Sequence, residues 1–178
     1  EHGIDEKLRK HFPNCEILSL DYLTEGQAST CLFAKDLLKE DDQLTIGACD
    51  NGMEYDKAAF NQLIKKTDAI IWTFRTNLSV MQNPKMYGWV DVDDSGNAIR
   101  VSCKEPISNT PLKDHAVVGT FSFRKALTFF TSVKIMIEKN RRINNEFYVD
   151  VALDECILRS STGVPGWAIW SRLGWSAL

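Results

Sequence analysis

The sequence predicts an α/β domain: a mostly parallel sheet covered by helices on both faces, with one antiparallel hairpin inserted. Three observations predict it. Strand-like runs alternate with helix-like runs along most of the chain. Two strand-like runs, LTIGAC and EFYV, stop on acids, Asp50 and Asp150, and open α/β sheets bind ligands beyond the carboxyl ends of their strands. The stretch MYGWVDVDDSGNAIRVSCK (86–104) holds two strand-like runs around Asp94-Ser95-Gly96-Asn97, which signals a hairpin.

The elements follow in order. IDEKLRKH (4–11) reads as a short amphipathic helix and CEILSLDYL (15–23) as a strand. Gly26 opens an apolar-faced helix through Leu38. LTIGAC (44–49) is a buried strand stopping at Asp50, DKAAFNQLIKK (56–66) a helix, and DAIIWTFRT (68–76) a strand. After the hairpin, AVVGTFSF (116–123) is a strand, and RKALTFFTSVKIMIEKN (124–140) has apolar residues at helical spacing. EFYVD (146–150) is expected as a further strand and ALDECILR as a helix. The tail from 159 to 178 holds three of the five Trp and shows no clear period.

The bulk properties exclude several classes. A chain of 178 residues suffices for one domain with a proper core. Hydrophobic and charged contents of 44% and 25% are ordinary globular values. A net charge of −3 gives no global basic field, so neither nucleic acid nor an acidic membrane is the expected partner. The five cysteines are odd in number and scattered, with no CxxC and no Cys/His cluster for zinc. Free thiols fit a reducing, cytoplasmic setting. The apolar runs fall short of a membrane span, and no signal peptide opens the chain. The first residues include no initiator Met, so the chain is expected to be a fragment or a processed product. The pattern does not specify an oligomeric state.

Few residues could carry chemistry. Asp50 and Asp150 suit a hard divalent cation such as magnesium, which takes one or two carboxylates plus substrate phosphates. The alternative is that each acid caps the next turn or helix. Gly26, in Thr24-Glu25-Gly26-Gln27-Ala28, joins strand to helix, where a ligand can approach the backbone and free N–H groups; a plain turn glycine is the other reading. Gly88 and Gly119 interrupt strands, which marks bulges or close approach. Lys104 ends the hairpin just before Glu105-Pro106, where a lone lysine is usually solvated. His2, His11 and His115 form no triad, and His115 is expected to cap or pack at a strand entrance. Lys139, Arg141 and Arg142 follow a helix end, where cations favour the dipole.

In this order the pieces resemble the sugar-1-phosphate nucleotidylyltransferases, over roughly residues 1–158. LTEGQASTCLFAKDLL is similar to the segment that meets the nucleobase, and LTIGACDNGMEYD to the strand with a magnesium-binding Asp. YGWVDVDDSGNAIRVSCKEP resembles the YG…EKP hairpin over the sugar, VVGTFSF the next sugar-lining strand, and NNEFYVD the second metal-binding strand. The resemblance implies a Rossmann-like, GT-A type fold. It implies transfer of a nucleoside monophosphate from a nucleoside triphosphate to a sugar-1-phosphate, with release of pyrophosphate. Asp50 and Asp150 would hold Mg2+, with Asp50 and Lys104 catalytic. Gly26 would meet the base, with Asp21 and Thr24 nearby. Gly88, Lys104, Glu105, Val118, Gly119 and Glu146 would line the sugar-phosphate. KEPIS and INNEFYVD resemble a branch tied to capsular and surface polysaccharides.

Three features depart from the family. No GxGxR loop with its Lys-Pro occurs, so the family's first strand and Gly-rich loop are expected to be missing. The Glu of EKP falls on Cys103 or has moved to Glu105. Residues 159–178 do not match the family's usual closing strand and WGTP-like motif, and stay unassigned. The rival readings are a non-catalytic nucleotide- or sugar-binding fragment or pseudoenzyme, and a GT-A glycosyltransferase. Against the glycosyltransferase, CDNG lacks a DxD.

Overall fold

The computed structural model describes residues 3–49, 52–160 and 167–170. Within them, six strands form one sheet: β1 (Leu44–Ile46), β2 (Ala69–Phe74), β3 (Gly88–Val92), β4 (Ala98–Cys103), β5 (His115–Phe123) and β6 (Trp167–Trp170). Five α-helices accompany them: α1 (Ile4–His11), α2 (Gln27–Cys31), α3 (Lys57–Ile64), α4 (Ala126–Glu138) and α5 (Val149–Ser160). The α/β architecture expected from the alternation is present.

The sheet order is β4-β3-β5-β2-β6, with β1 also on β5. β2 and β6 pair parallel, and the other described pairs are antiparallel. Strand direction explains this difference from a mostly parallel sheet. β1 and β2, joined across α3, both run opposite to β5, so they point the same way, as a crossover helix requires. β3 and β6 share that direction. β5, which follows β4, inserts between these strands and turns their pairings antiparallel.

β5 is the centre of the molecule. β2 lies along one edge, from Ala69↔Phe123 to Phe74↔Ala116. The other edge is shared: β3 meets its start at His115 and Ala116, and β1 its end at Phe121–Phe123. Alternating side chains feed two cores. Val117, Phe121 and Phe123 pack with Phe129, Val133, Met136 and Leu153 of α4 and α5. Ala116 and Val118 pack on the opposite face with Trp72, Trp89, Phe60 and Ile64.

Helix starts follow local chemistry. The Asp56 carboxylate caps α3, accepting from the Ala58 and Ala59 N–H at 2.8 and 3.1 Å. The run after α4 does more than complement a dipole. Lys139 Nζ and Arg141 Nη1 reach the fully buried Glu155 at 2.7 and 2.6 Å, and Arg141 Nη2 reaches Asp154 at 2.8 Å. Asp154 also accepts from the Val101 N–H at 3.2 Å, so one ionic cluster ties α4, α5 and β4 together.

Two strand expectations fail. Residues 15–23 form no strand: Leu18, Tyr22 and Leu23 stand exposed, and no described strand pairs with the segment. Residues 146–150 are also not a strand. Asn144 and Asn145 both take positive φ, 50° and 65°, in a tight turn closed by mutual Ile143–Glu146 backbone bonds. Phe147 then pairs with Glu25 and Ala28, and Asp150 falls in the first turn of α5. Asp150 therefore stands at a helix start, not at a strand end. The hairpin 86–104 and the strands at 68–76 and 116–123 agree with expectation, the first with β3 and β4. The segment 26–38 is helical, α2 passing into a 3-10 turn at Leu32–Leu37. The run 44–50 gives the short β1, and Asp50 lies outside the described residues. The tail contributes β6 on the free edge of β2.

Candidate functional site

A bulge in β5 creates the cleft. Ile71 faces Phe121 while Thr73 faces Val117, so β5 spends two more residues than β2 across this step. Gly119 sits inside it at φ 92°. Bulges re-aim side chains beside binding sites. On the other edge, the register of β3 stops at Ala116 and that of β1 starts at Phe121. The two strands diverge there, and a cleft of about 480 Å³ opens over Val117, Val118 and Gly119. A side chain at Gly119 would bring its Cβ to 3.1 Å from the Ala48 Cβ, so glycine lets the run after β1 close one wall.

Asp150 points into this cleft from α5. It is 8% exposed, and its Oδ1 has no hydrogen-bond partner. A Cβ on Gly88 would stand 1.9 Å from that oxygen, so only glycine there admits the carboxylate. Burial raises its pKa from 3.8 to about 6, against the opposing pull of its own N–H and of Lys104. A buried carboxylate with one unpartnered oxygen costs stability and calls for a ligand that supplies the missing partner.

Lys104 follows β4 at φ 63°. Its N–H donates to the Tyr87 carbonyl at 3.1 Å and its Nζ to the Met86 carbonyl at 2.8 Å. The ammonium also lies 5.4 Å from the Tyr148 ring centre. Tyr148 is pushed up to about 12 by burial first, then by Glu146, Cys103 and Asp150. Cys103 is likewise raised to about 12, by burial and then by Asp150, and stays a thiol.

The structure thus brings Gly88, Lys104, Val118, Gly119 and Asp150 together in one cleft. Gln27 extends its lining to the Gly26 turn. Gly26 takes φ 118° and packs so closely that a Cβ would lie 2.6 Å from the Phe147 nitrogen. Thr24 supports the turn, its hydroxyl donating to the Gly26 carbonyl at 3.2 Å. Asp21, Glu105 and Glu146 are exposed and do not line the cleft. Glu146 reaches Tyr148, and the Glu105 carbonyl accepts from the Ser102 hydroxyl at 2.7 Å. Sequence reasoning missed Gln27, Ala48, Tyr87 and Tyr148. Tyr148 had a signal, since it stands two residues before Asp150 in EFYVD.

His115 is buried at the start of β5, as expected, with Nδ1 3.0 Å from the Thr73 hydroxyl. Burial and then Arg75 lower its pKa to about 4, against Asp114, so it is neutral near pH 7. All five cysteines are free. Among the described residues no helix is long and apolar enough to cross a membrane, and no group of three or more metal-ligating side chains occurs. A larger groove of about 740 Å³ between α4 and residues 32–40 contains none of the predicted site residues.

No family model matches the chain, and no curated protein matches it in sequence. Solved structures do match. The nucleoside-diphosphate-sugar pyrophosphorylase from Vibrio cholerae RC9 superposes with a TM-score of 0.69 and 15% identity, over 96% of this chain and 70% of that one. The inositol-1-phosphate CTP transferase from T. maritima gives 0.63 and 12%, over 100% of this chain and 66% of that one. A UDP-glucose pyrophosphorylase in complex with UDP-glucose gives 0.63 and 17%, over 89% and 62%. The chain spans roughly two thirds of the length of these structures. At such identities the likeness concerns architecture, and this chain shares their α/β fold.

Proposed function

We propose that the chain carries the substrate cleft of a nucleotidyltransferase, which transfers a nucleoside monophosphate from a nucleoside triphosphate to a sugar-1-phosphate and releases pyrophosphate. A role in supplying surface or capsular polysaccharide follows from the KEPIS and INNEFYVD resemblance. The observation that carries the reading is Asp150: a buried carboxylate with an unpartnered oxygen, aimed into a cleft whose glycines admit close approach. The fold shared with the pyrophosphorylases and the CTP transferase supports it.

Asp150 fits a magnesium ion, which takes one or two carboxylates and leaves its other positions to water and phosphate oxygens. Asp50, outside the described residues, is the proposed second carboxylate. Bound there, magnesium would offset phosphate charge. The chain's own residues do the rest. The Gly26 turn presents backbone to the base, with Asp21 and Thr24 beside it. Gly88, Val118 and Gly119 form the sugar floor. Lys104 exchanges the Met86 carbonyl for the sugar phosphate and fixes it as a point charge. Glu105 and Glu146 contribute from the exposed rim. The nucleophile is already an anion, so alignment and charge neutralisation replace a strong base.

One observation favours a second reading, a non-catalytic nucleotide- or sugar-binding module: Lys104 is the one cationic side chain among the described cleft residues. The two readings separate in an assay of pyrophosphate release from each common nucleoside triphosphate with each common sugar-1-phosphate in magnesium. Magnesium-dependent release that Asp150→Asn abolishes supports the transferase. Binding of a nucleotide-sugar with no release from any pair selects the binding module.

A further inference from the structure

We propose that Arg142 is a positioning residue: it locks the Thr24–Gln27 turn against the start of α5 and so sets the nucleotide end of the cleft. The inference rests on the reading above that this turn faces the nucleotide. Arg142 lies between α4 and α5, and its guanidinium uses three edges at once. Nη2 donates to Glu25 Oε1 at 2.8 Å, Nη1 to the Asn145 carbonyl at 3.1 Å, and Nε to Asn140 Oδ1 at 2.7 Å. Its face covers the Phe147 ring, 4.0 Å from the ring centre. Phe147 is the hinge of the arrangement. Its N–H donates to the Glu25 carbonyl at 2.7 Å, and its carbonyl accepts from the Ala28 N–H at 2.9 Å.

The geometry makes the turn and the carboxylate one unit. Gly26 sits against the Phe147 backbone with no room for a Cβ, and Asp150 follows Phe147 by three residues. Gln27, next to Gly26, lines the same cleft as Asp150. Whatever fixes Glu25 to Phe147 therefore fixes the distance between the proposed base-facing turn and the proposed metal-facing acid. Arg142 grips both sides of that joint, Glu25 on one and Asn145 on the other. A planar fork can hold three acceptors and stack on a ring together, which an ammonium cannot. Because Glu25 consumes its charge, Arg142 acts by position and not as a phosphate ligand.

The test uses the full chain with Arg142→Gln, Arg142→Lys, Glu25→Gln and the double Arg142→Gln/Glu25→Gln. Amide exchange is read without ligand. Binding of ATP, CTP, GTP, UTP, dTTP and glucose-1-phosphate is titrated in magnesium chloride. The expected result is exchange about tenfold faster at Ala28 and Phe147, with β5 unchanged. Triphosphate affinity should fall about fivefold, in line with one partly exposed charged contact. Glucose-1-phosphate affinity should hold, the double should be no weaker than Arg142→Gln, and Arg142→Lys should not rescue. A merely structural residue would weaken both ligands alike. Unchanged exchange at Ala28 and Phe147, equal weakening of both ligands, or additive losses in the double overturn the proposal. If Arg142→Gln does not fold, Glu25→Gln decides through the same readings. If the wild type binds no triphosphate, the proposed function falls, and the exchange result alone decides the lock.

Discussion

Replacing Asp150 by Asn should make the metal-free protein gain stability relative to wild type as pH rises from acid to neutral. The folded pKa is raised from 3.8 to about 6, a shift of about two units. At about 1.4 kcal/mol per unit, the ionised carboxylate costs about 3 kcal/mol. The sign follows from proton binding. Between the two pKa values the folded protein holds a proton that the unfolded chain has released, so wild-type stability is lost as pH rises through that window. Asn does not titrate. Urea unfolding in EDTA should show the stability difference between variant and wild type growing by about 3 kcal/mol from about pH 4 to about pH 7. Any fixed cost of burying the amide shifts that curve without tilting it. Magnesium at pH 7 should then raise the wild-type midpoint and not that of the variant. A difference that stays flat across the window would refute the argument, since it would mean that Asp150 is solvated or paired.

Three further predictions concern the scaffold. His115 is neutral when folded and titrates near 4, so protonation of the unfolded chain should remove about 3 kcal/mol as pH falls from 6.5 towards 4; His115→Asn should flatten that loss in the same urea series. This slope opposes the Asp150 slope in an overlapping window, so each appears in the difference from its variant and not in the wild type alone. Gly26→Ala should cost about 2–5 kcal/mol, from the 2.6 Å clash with Phe147 plus a strained φ of 118°, read as a fall in the urea midpoint. Glu155→Gln should cost about 1–3 kcal/mol, below the full price of a broken buried pair because Lys139 and Arg141 are partly exposed, and raising salt should narrow the gap to wild type.

The strands that sequence showed plainly are those packed on both faces. AIIWTF is buried at every position, so its apolar run could only be a central strand. The hairpin was readable because DSGN marks its turn, and the Asp93 carboxylate does accept from the Ser95 and Asn97 N–H at 2.9 and 2.8 Å. EFYVD misled because a period of two over five residues also suits an extended lead into a helix. The deciding signal was Asn144-Asn145, which tolerates two successive positive φ values and turns the chain before any strand can start. CEILSLDYL misled because strand propensity describes half-buried packing, and that segment lies on the surface. In the candidate site, Gly88, Gly119 and Asp150 were legible as oddities of residue type in apolar runs. Gln27 and Ala48 were not, because their presence depends on how the Gly26 turn and the run after β1 lean on the cleft, whereas Tyr148 was signalled by its place two residues before Asp150. The sheet directions stayed hidden for a similar reason: which strand inserts between which is a long-range choice that no local pattern records.

The bulge in β5 gives the cleft two walls of different mechanical character. Its floor belongs to the central strand, held along β2 on one edge and clamped by β3 and β1 at either end of the gap on the other, with Val117 and Val118 packed into opposite cores. Its far wall is a surface turn joined to the segment before α5 by two backbone bonds with Phe147 and one partly exposed ion pair with Arg142. A ligand bridging the two would spend almost none of its binding free energy ordering the floor. It would spend nearly all of that cost on the turn, so affinity in this cleft should be tuned by substitutions on one side only.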